Sequence, residues 1–268
     1  MDYGLRVEGP GDLPRDPREA CGPPCREILP AGRLVALYFG AEFCEHALPT
    51  AAEAEAVCGL ARARGLEAVL LTPVATDRGL AAVAGLLEAL TCRGLRPAVV
   101  FNDWGVLGLL RERFPGHRRR AGRLLNRGLR DPRARSGPGG PDRAGRLRRL
   151  LRRQGAVAIE TDPDIRGGYL GDGAEGMERV LHLPFAFAAS GRNCLVRATH
   201  GPGGGFVKTL GVPCGRPCRS GPRRVRRDDT AALLWRAGNT VFSAVPPDRA
   251  RERLARADRV VLHRRPAP

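Results

Sequence analysis

Aromatic residues and lysine are both scarce in this chain of 268 residues. Phe, Trp and Tyr make up 5% of the sequence, which is too few for the aromatic platforms on which nucleic-acid bases stack. Lys208 is the only lysine, whereas arginine is abundant, and the formal net charge is +17. Residues 118–153 alone contain fourteen arginines and two aspartates. This segment is either a phosphate-binding patch or, as we favour, the surface of a chain that uses arginine in place of lysine.

Long apolar runs and export signals are also lacking. No run of apolar residues is long enough to cross a bilayer, and the first residues do not combine a basic start with an apolar core. We therefore expect a cytoplasmic protein that does not insert into membranes. In that compartment the eight cysteines are expected to be reduced or bound to metal instead of paired in disulfides.

Three common catalytic motifs are absent from the sequence or from the position that their chemistry requires. There is no Gly-x-Ser-x-Gly elbow, no His-Glu-x-x-His zinc helix, and no Gly-x-Gly-x-x-Gly directly after a predicted strand. A serine hydrolase of the elbow type, a zinc peptidase of the helix type and a dinucleotide-binding fold are therefore not expected.

Residues 1–32 differ in composition from the rest of the chain. They contain six prolines separated by glycines and show little periodicity, so we expect a poorly ordered leader there. Cys21 and Cys25 lie in this leader. We interpret them as solvent-exposed thiols, and a second metal site is the alternative.

From residue 33 to residue 268, short apolar runs alternate with helical patterns. Thr50 and Glu53, for example, have the spacing of a capping box at the start of a helix. Apolar strands separated by helices are typical of a parallel sheet buried on both faces, and eight of them predict a single α/β domain, a closed TIM-type (β/α) barrel. We expect flexible insertions near 134–141 and 220–229. The strand candidates are 34–39, 68–71, 97–101, 122–125, 156–160, 179–188, 240–245 and 259–262.

In a barrel of this type the active site forms at the carboxyl ends of the strands. Polar residues that follow predicted strands are therefore candidates for lining a catalytic cavity. Asn102 and Asp103 have an alternative role as helix caps. Arg192 is either a surface residue or a ligand for a substrate anion. The candidates are Glu42, Asn102, Asp103, Asn126 and Arg192.

Four cysteines fall on the same predicted edge of the barrel. Cys44 follows the first predicted strand, Cys194 follows the sixth, and Cys214 and Cys218 lie in a loop too rich in glycine and proline for a helix. Thiolates are soft ligands, so a set of four selects an iron–sulfur cluster or zinc. A joint metal site at this edge is the favoured interpretation, and the alternative for Cys44 is a small buried core residue.

Six short segments between residues 34 and 264 form an ordered pattern. They are YFGAEFCE at 38–45, FNDWG at 101–105, GRLLN at 122–126 with RDPR at 130–133, LPF at 183–185 with GRNC at 191–194, the pair Cys214 and Cys218, and GNTVF at 238–242. Together these segments resemble the collagenase-like peptidase family. Members of the UbiU and UbiV type support oxygen-independent hydroxylation in ubiquinone synthesis, and related members act in the hydroxylation of RNA.

The resemblance implies a barrel-like fold and a [4Fe–4S] cluster held by Cys44, Cys194, Cys214 and Cys218. It also implies redox chemistry together with a redox or hydroxylase partner protein. The spacing from Cys194 to Cys214 and the arginine-rich insertion near 134–153 differ from the quinone-pathway members, which indicates a separate subgroup. Our expectation is therefore an iron–sulfur protein of oxygen-independent hydroxylation. An RNA-modifying or RNA-binding protein, a peptidase and a structural zinc protein remain alternatives.

Overall fold

The structure is a computed structural model that describes residues 1–11, 13–125, 143–163, 176–198 and 214–268. In chain order the strands are β1 Asp2–Arg6, β2 Arg33–Gly40, β3 Glu67–Leu71, β4 Ala98–Phe101, β5 Arg119–Ala121, β6 Ala156–Thr161, β7 Glu178–Leu183, β8 Phe185–Ser190, β9 Arg223–Arg227, β10 Thr230–Ala237, β11 Thr240–Ala244 and β12 Arg259–Leu262. The helices are α1 Pro23–Arg26, α2 Ala51–Ala63, α3 Asp77–Cys92, α4 Trp104–Glu112, α5 Arg143–Arg153, α6 Leu195–Ala198 and α7 Pro247–Leu254. Short 3₁₀ turns cover Pro17–Cys21, Glu45–Ala47 and Pro217–Ser220.

The first and last strands of the chain pair with each other and close a barrel. β1 pairs in parallel with β12, with Tyr3 opposite Val260, and pairs with β2 on its other side. The barrel runs β1, β2, β3, β4, β5, β6, β7 and β12, and every neighbouring pair is parallel. The predicted TIM-type α/β barrel is therefore confirmed.

Apolar side chains on both faces of the strands explain why the sheet is buried. In β4, Val99 and Phe101 belong to the large cluster that packs under the helices. Ala98 and Val100 belong to a separate cluster inside the barrel. A strand with apolar residues at every position suits this double burial, because alternate side chains point to opposite faces.

The helices begin at residues that satisfy their first backbone amides. The capping box predicted at α2 is present: the Glu53 amide donates to Thr50 Oγ1 (3.2 Å), and the Thr50 amide donates to Glu53 Oε2 (2.8 Å). At α3 the amide of Gly79 donates to the Thr76 hydroxyl (3.2 Å). None of the helices in the described ranges has both the length and the apolar character to span a membrane.

The prediction of a poorly ordered leader at 1–32 is wrong. β1 occupies residues 2–6 of that segment, and Tyr3 is fully buried with its hydroxyl donating to the Pro30 carbonyl (2.6 Å). Gly4 lets β1 lie close to the ring of Tyr38 in β2, since a Cβ at position 4 would lie 2.6 Å from Cε2 of Tyr38. The strand was missed because it is short and carries a glycine at its centre and charged residues at both ends. The barrel domain therefore begins at β1 and not at residue 33.

A second, four-stranded antiparallel sheet lies outside the barrel in the order β8, β11, β10, β9. The strand predicted over 179–188 is two strands, β7 and β8, separated at Pro184. The strand predicted over 240–245 is β11 and belongs to this second sheet, so β1 takes its expected place in the barrel. The segment 220–229, predicted to be a flexible insertion, contains β9. The other predicted insertion, 134–141, lies outside the described residues.

Candidate metal centre

The four predicted ligand cysteines lie at the starts of short helical turns or beside them. Cys44 follows β2 and caps the 3₁₀ turn Glu45–Ala47. Cys194 directly precedes α6, and the Ala198 amide donates to its carbonyl (2.9 Å). Cys218 lies within the turn Pro217–Ser220, and Cys214 lies four residues before it. Such turns point backbone amides towards the side chain at their start.

The structure brings these four thiols into one neighbourhood. The pKa of the Cys44 thiol is raised to about 12, first by burial and then by the charges of Cys194, Cys218 and Cys214. Burial, Cys194 and Cys214 likewise raise the pKa of Cys218. Thiolates raise one another's pKa only when they are close together. Three segments that are far apart in sequence therefore meet at the carboxyl end of the barrel.

Backbone amides point at the sulfur atoms. The Arg197 amide donates to Cys194 Sγ (3.4 Å), and the Arg216 amide donates to Cys214 Sγ (3.4 Å). The amide of His46 donates to the Cys44 thiol and opposes the rise of its pKa. Such donors stabilise the thiolate form, which is the form that binds metals.

A zinc ion and an iron–sulfur cluster require different distances between four cysteine sulfurs. Within the described residues, no group of three or more His, Cys, Asp or Glu side chains is arranged to hold a metal ion. Four thiolates on one zinc ion, with bonds near ~2.3 Å, would lie about 3.8 Å from one another. In an iron–sulfur cluster each thiolate binds a different iron, so the sulfurs lie farther apart. Thiolates are soft ligands, so the donor set suits either zinc or an iron–sulfur cluster.

Asn239 ties together the two segments that carry Cys44 and Cys194. Its Nδ2 donates to the carbonyl of Phe43 and to the carbonyl of Gly191, both at 2.6 Å. Asn239 is buried and lies in the turn between β10 and β11. The second sheet thus fixes the relative position of two predicted ligands. The resemblance segment at 238–242 includes Asn239, but sequence reasoning assigned it no role.

Glu42 is held in a buried ion network. Nε of Arg123 lies 3.1 Å from both carboxylate oxygens of Glu42, and Nη1 of Arg123 donates to Asp162 (2.6 Å). All three side chains are almost completely buried, and the guanidinium carbon lies 5.2 Å from the ring centroid of Phe43. Although burial alone lowers the pKa of Arg123, the two carboxylates raise it above its ordinary value. Glu42 therefore anchors Arg123, which lies against the ring of Phe43, the residue before Cys44.

The remaining predicted cavity residues have structural roles or lie elsewhere. Asn102 donates to the Thr72 carbonyl (2.9 Å) and accepts from the Leu124 amide (2.8 Å), so it ties the ends of β3 and β5. Asp103 caps α4 by accepting from the Gly105 amide (2.6 Å), which is the alternative that the sequence left open. Arg192 is exposed. Asn126 lies outside the described residues.

A chain of hydrogen-bonded ionisable groups runs through the barrel interior. Nδ1 of His182 lies 2.8 Å from Nε2 of His263, and Nε2 of His182 lies 2.8 Å from Oε2 of Glu160. Arg120 donates to the other oxygen of Glu160 (2.7 Å). With both rings neutral, His182 donates to Glu160 and accepts from His263, which leaves Nδ1 of His263 as an acceptor. Glu160 ends the strand predicted over 156–160 and His263 follows the strand predicted over 259–262, but nothing in the local sequence indicates that Arg120 lies inside the barrel.

No protein-family model matches this chain, and no curated protein matches it significantly. Three solved structures resemble it weakly. They are the immunomodulatory chitinase TsES1 of Trichuris suis (11% identity, 97% of this chain and 91% of that chain, TM-score 0.39), a glycoside hydrolase family 18 N-acetylglucosaminidase of Paenibacillus barengoltzii (13%, 98% and 94%, 0.38) and a family GH18 chitinase of Cycas revoluta (9%, 98% and 95%, 0.36). Resemblances with such low identities and TM-scores do not indicate the function of this chain.

Proposed function

We propose that Cys44, Cys194, Cys214 and Cys218 bind a [4Fe–4S] cluster at the carboxyl end of the barrel. The protein would then be a cytosolic component of oxygen-independent hydroxylation or of related redox chemistry. The observation that carries this proposal is that the other three thiols lie close enough to Cys44 to raise its pKa, and that Cys194 and Cys214 do the same to Cys218. When bound, such a cluster transfers electrons, and its potential depends on hydrogen bonds to its sulfurs and on its exposure to solvent.

The surroundings of the cysteines support this role. Cys44 and Cys194 are buried, whereas Cys214 and Cys218 are partly exposed, so one side of the site faces the protein and the other approaches the surface. That asymmetry suits exchange of electrons with a partner protein. The backbone amides at Cys44, Cys194 and Cys214 stabilise thiolate charge, as the sulfur ligands of a cluster require.

Anaerobic purification followed by iron, sulfide and zinc analysis tests this proposal. We expect a brown protein that contains iron and sulfide in equal amounts and bleaches in air. Cys214→Ser and Cys218→Ser should lose the colour, because oxygen is a poor ligand for a soft site. Cys92→Ser, on an exposed thiol of α3, is the matched control and should keep it. Stoichiometric zinc without sulfide would leave only a structural zinc site.

A nucleic-acid substrate is a second candidate, and the edge strand β9 favours it. Arg223, Arg224, Arg226 and Arg227 are all exposed on this strand, which follows the Cys218 turn in the chain. Arginines on an exposed ribbon neutralise phosphates, and such binding weakens steeply with salt. We expect the double variant Arg224→Gln, Arg226→Gln to weaken RNA binding more than Arg149→Gln, Arg152→Gln on α5. Equal losses would indicate nonspecific attraction to a basic surface.

A further inference from the structure

A cavity of about 320 Å³ opens at the carboxyl end of the barrel, between β1, β2 and the turn that carries Cys218. Arg6, at the end of β1, and Gly40, at the end of β2, form part of its wall, and Arg216 and Cys218 form another part. Cavities of this size hold small organic ligands. The cavity therefore lies directly beside one of the proposed cluster ligands.

Arg6 is a cation in this wall that forms no direct ion pair with any described residue, although Glu8 and Glu42 lie near enough to act on its charge. Its guanidinium donates to the carbonyls of Val7 and Gly40, and no carboxylate in the described part of the chain lies within ion-pairing distance of it. Glu8, two residues later, pairs instead with Arg265. Burial lowers the pKa of Arg6 to about 10, while the charges of Glu8 and Glu42 oppose that decrease. The group therefore stays charged at neutral pH, and its guanidinium bonds only to backbone carbonyls.

Arg216 supplies a second cation through an unusual backbone. Its φ is 53° and its ψ is 49°, in the left-handed region that side-chain-bearing residues seldom adopt. Such a conformation costs about 1 kcal/mol or more and is characteristic of functional sites. Its Nη2 donates to the Leu48 carbonyl (3.3 Å), and no carboxylate among the described residues forms an ion pair with it. Arg6 and Arg216 thus bond to backbone carbonyls and form no direct ion pair among the described residues. The rest of the wall contains Arg219 and Arg265 as well as Glu8 and Glu53, so arginines outnumber carboxylates around the cavity.

We propose that this cavity binds a small organic molecule through a carboxylate or phosphate group, held by Arg6 and Arg216 beside Cys218. Guanidinium groups bind both oxyanions in paired hydrogen bonds. Because the cavity adjoins the proposed cluster, we identify the bound molecule as a substrate or co-substrate. That identification rests on the proposed function. Binding of the anion itself does not require a cluster.

Calorimetric titration of the full chain, purified anaerobically, tests the inference. Succinate is the carboxylate probe and inorganic phosphate is the phosphate probe, and iron is measured on the same sample. We expect saturable binding of one equivalent of at least one probe, and the tighter probe identifies the oxyanion. Arg6→Gln should weaken this binding at least tenfold, and Arg6→Lys, which keeps the charge, should weaken it less.

Two further variants make the test independent of whether Arg6→Gln folds. Ala267→Glu places a carboxylate in the cavity wall near the end of the chain, so it should compete with the probe and weaken binding. Arg33→Gln changes an exposed arginine at the start of β2 and should bind like the unchanged chain. Equal binding by Ala267→Glu and the unchanged chain, or an equal loss in Arg33→Gln, would overturn the inference. Saturable binding to a protein without iron would sink the proposed cluster and retain this site.

Discussion

His182 and His263 share a hydrogen bond inside the barrel, with Nδ1 of the first ring 2.8 Å from Nε2 of the second. The two residues lie on neighbouring strands, since His182 is in β7 and His263 directly follows β12. His263 is buried next to the ring of His182 and near the charges of Arg123 and Arg6. Each of these neighbours opposes a positive charge on His263.

The folded protein should therefore lose stability in mild acid. Burial, followed by His182, Arg123 and Arg6, holds the pKa of His263 well below its usual value of 6.5. The unfolded chain binds a proton at this residue below about pH 6.5 while the folded chain does not, so the free energy of unfolding decreases as the pH falls. His263→Gln should reduce that slope by up to about 1.4 kcal/mol per pH unit. Urea unfolding of the unchanged chain and of His263→Gln between about pH 7 and pH 5 measures the two slopes. Identical slopes would contradict a lowered pKa at His263.

Glu160 should be the most costly carboxylate to neutralise. It is fully buried between Arg120 and His182. Although burial alone raises its pKa, those two groups lower it to about 2. Its contribution to stability is thus complete above its ordinary value of 4.5 and is lost as the pH falls towards 2. Glu160→Gln should destabilise the fold by about 3–5 kcal/mol, because Arg120 then loses its fully buried carboxylate and keeps only the partly exposed Glu178 and Glu67.

Glu88→Gln is the matched control for this prediction. Glu88 pairs with Arg113 on the surface, where both side chains are about half exposed. An exposed pair of this kind contributes about 0–1 kcal/mol. Denaturant unfolding of both variants at neutral pH should show a large loss for Glu160→Gln and a small loss for Glu88→Gln. Similar losses would mean that the interior pair is compensated by relaxation of the barrel.

Cys21 should react with alkylating agents before Cys25 does. A hydrogen bond with Cys25 lowers the pKa of Cys21 and, together with burial, raises the pKa of Cys25. Cys21 is partly exposed and Cys25 is buried, so accessibility favours the same order. Alkylation with iodoacetamide followed by mass spectrometry measures it, and exposed Cys92 serves as the reference for accessibility. Cys25→Ser should slow the reaction at Cys21, since the stabilising thiol is lost.

The sequence predicts most strands of the barrel, because they are apolar and are separated by capped helices, as the box at Thr50 and Glu53 shows. The pattern misplaces β5, since the strand predicted over 122–125 lies just beyond Arg119–Ala121. It fails at β1, where the buried residues Tyr3 and Leu5 alternate with a glycine and a short strand leaves too weak a pattern. This failure also concealed Arg6, because a residue assigned to a leader is not considered for a cavity wall. The local sequence pattern predicts where strands lie. It does not predict which charged groups come together when the barrel closes.

The candidate site shows the same limit. The four cysteines could be proposed from their positions after strands, because the carboxyl ends of barrel strands meet at one edge. Arg123 could not be paired with Glu42, since they are eighty-one residues apart and nothing local links them. The role of Asn239 depends likewise on a sheet outside the barrel that periodicity placed within it. Contacts of this kind are visible only once the chain has folded.

Substitution of Asn239 tests whether the geometry of the cysteine site can change while the protein stays folded. Asn239→Ala removes both hydrogen bonds that tie the Phe43 and Gly191 carbonyls, so the segments carrying Cys44 and Cys194 lose a shared anchor. We expect the variant to fold, to be less stable by about 1–3 kcal/mol and to retain much less iron after gel filtration. Thr230→Ala, at an exposed position of β10, should keep its iron. If Asn239→Ala retained full iron, the turn between β10 and β11 would not position the ligands, and the cysteine segments would have to be held by the barrel alone.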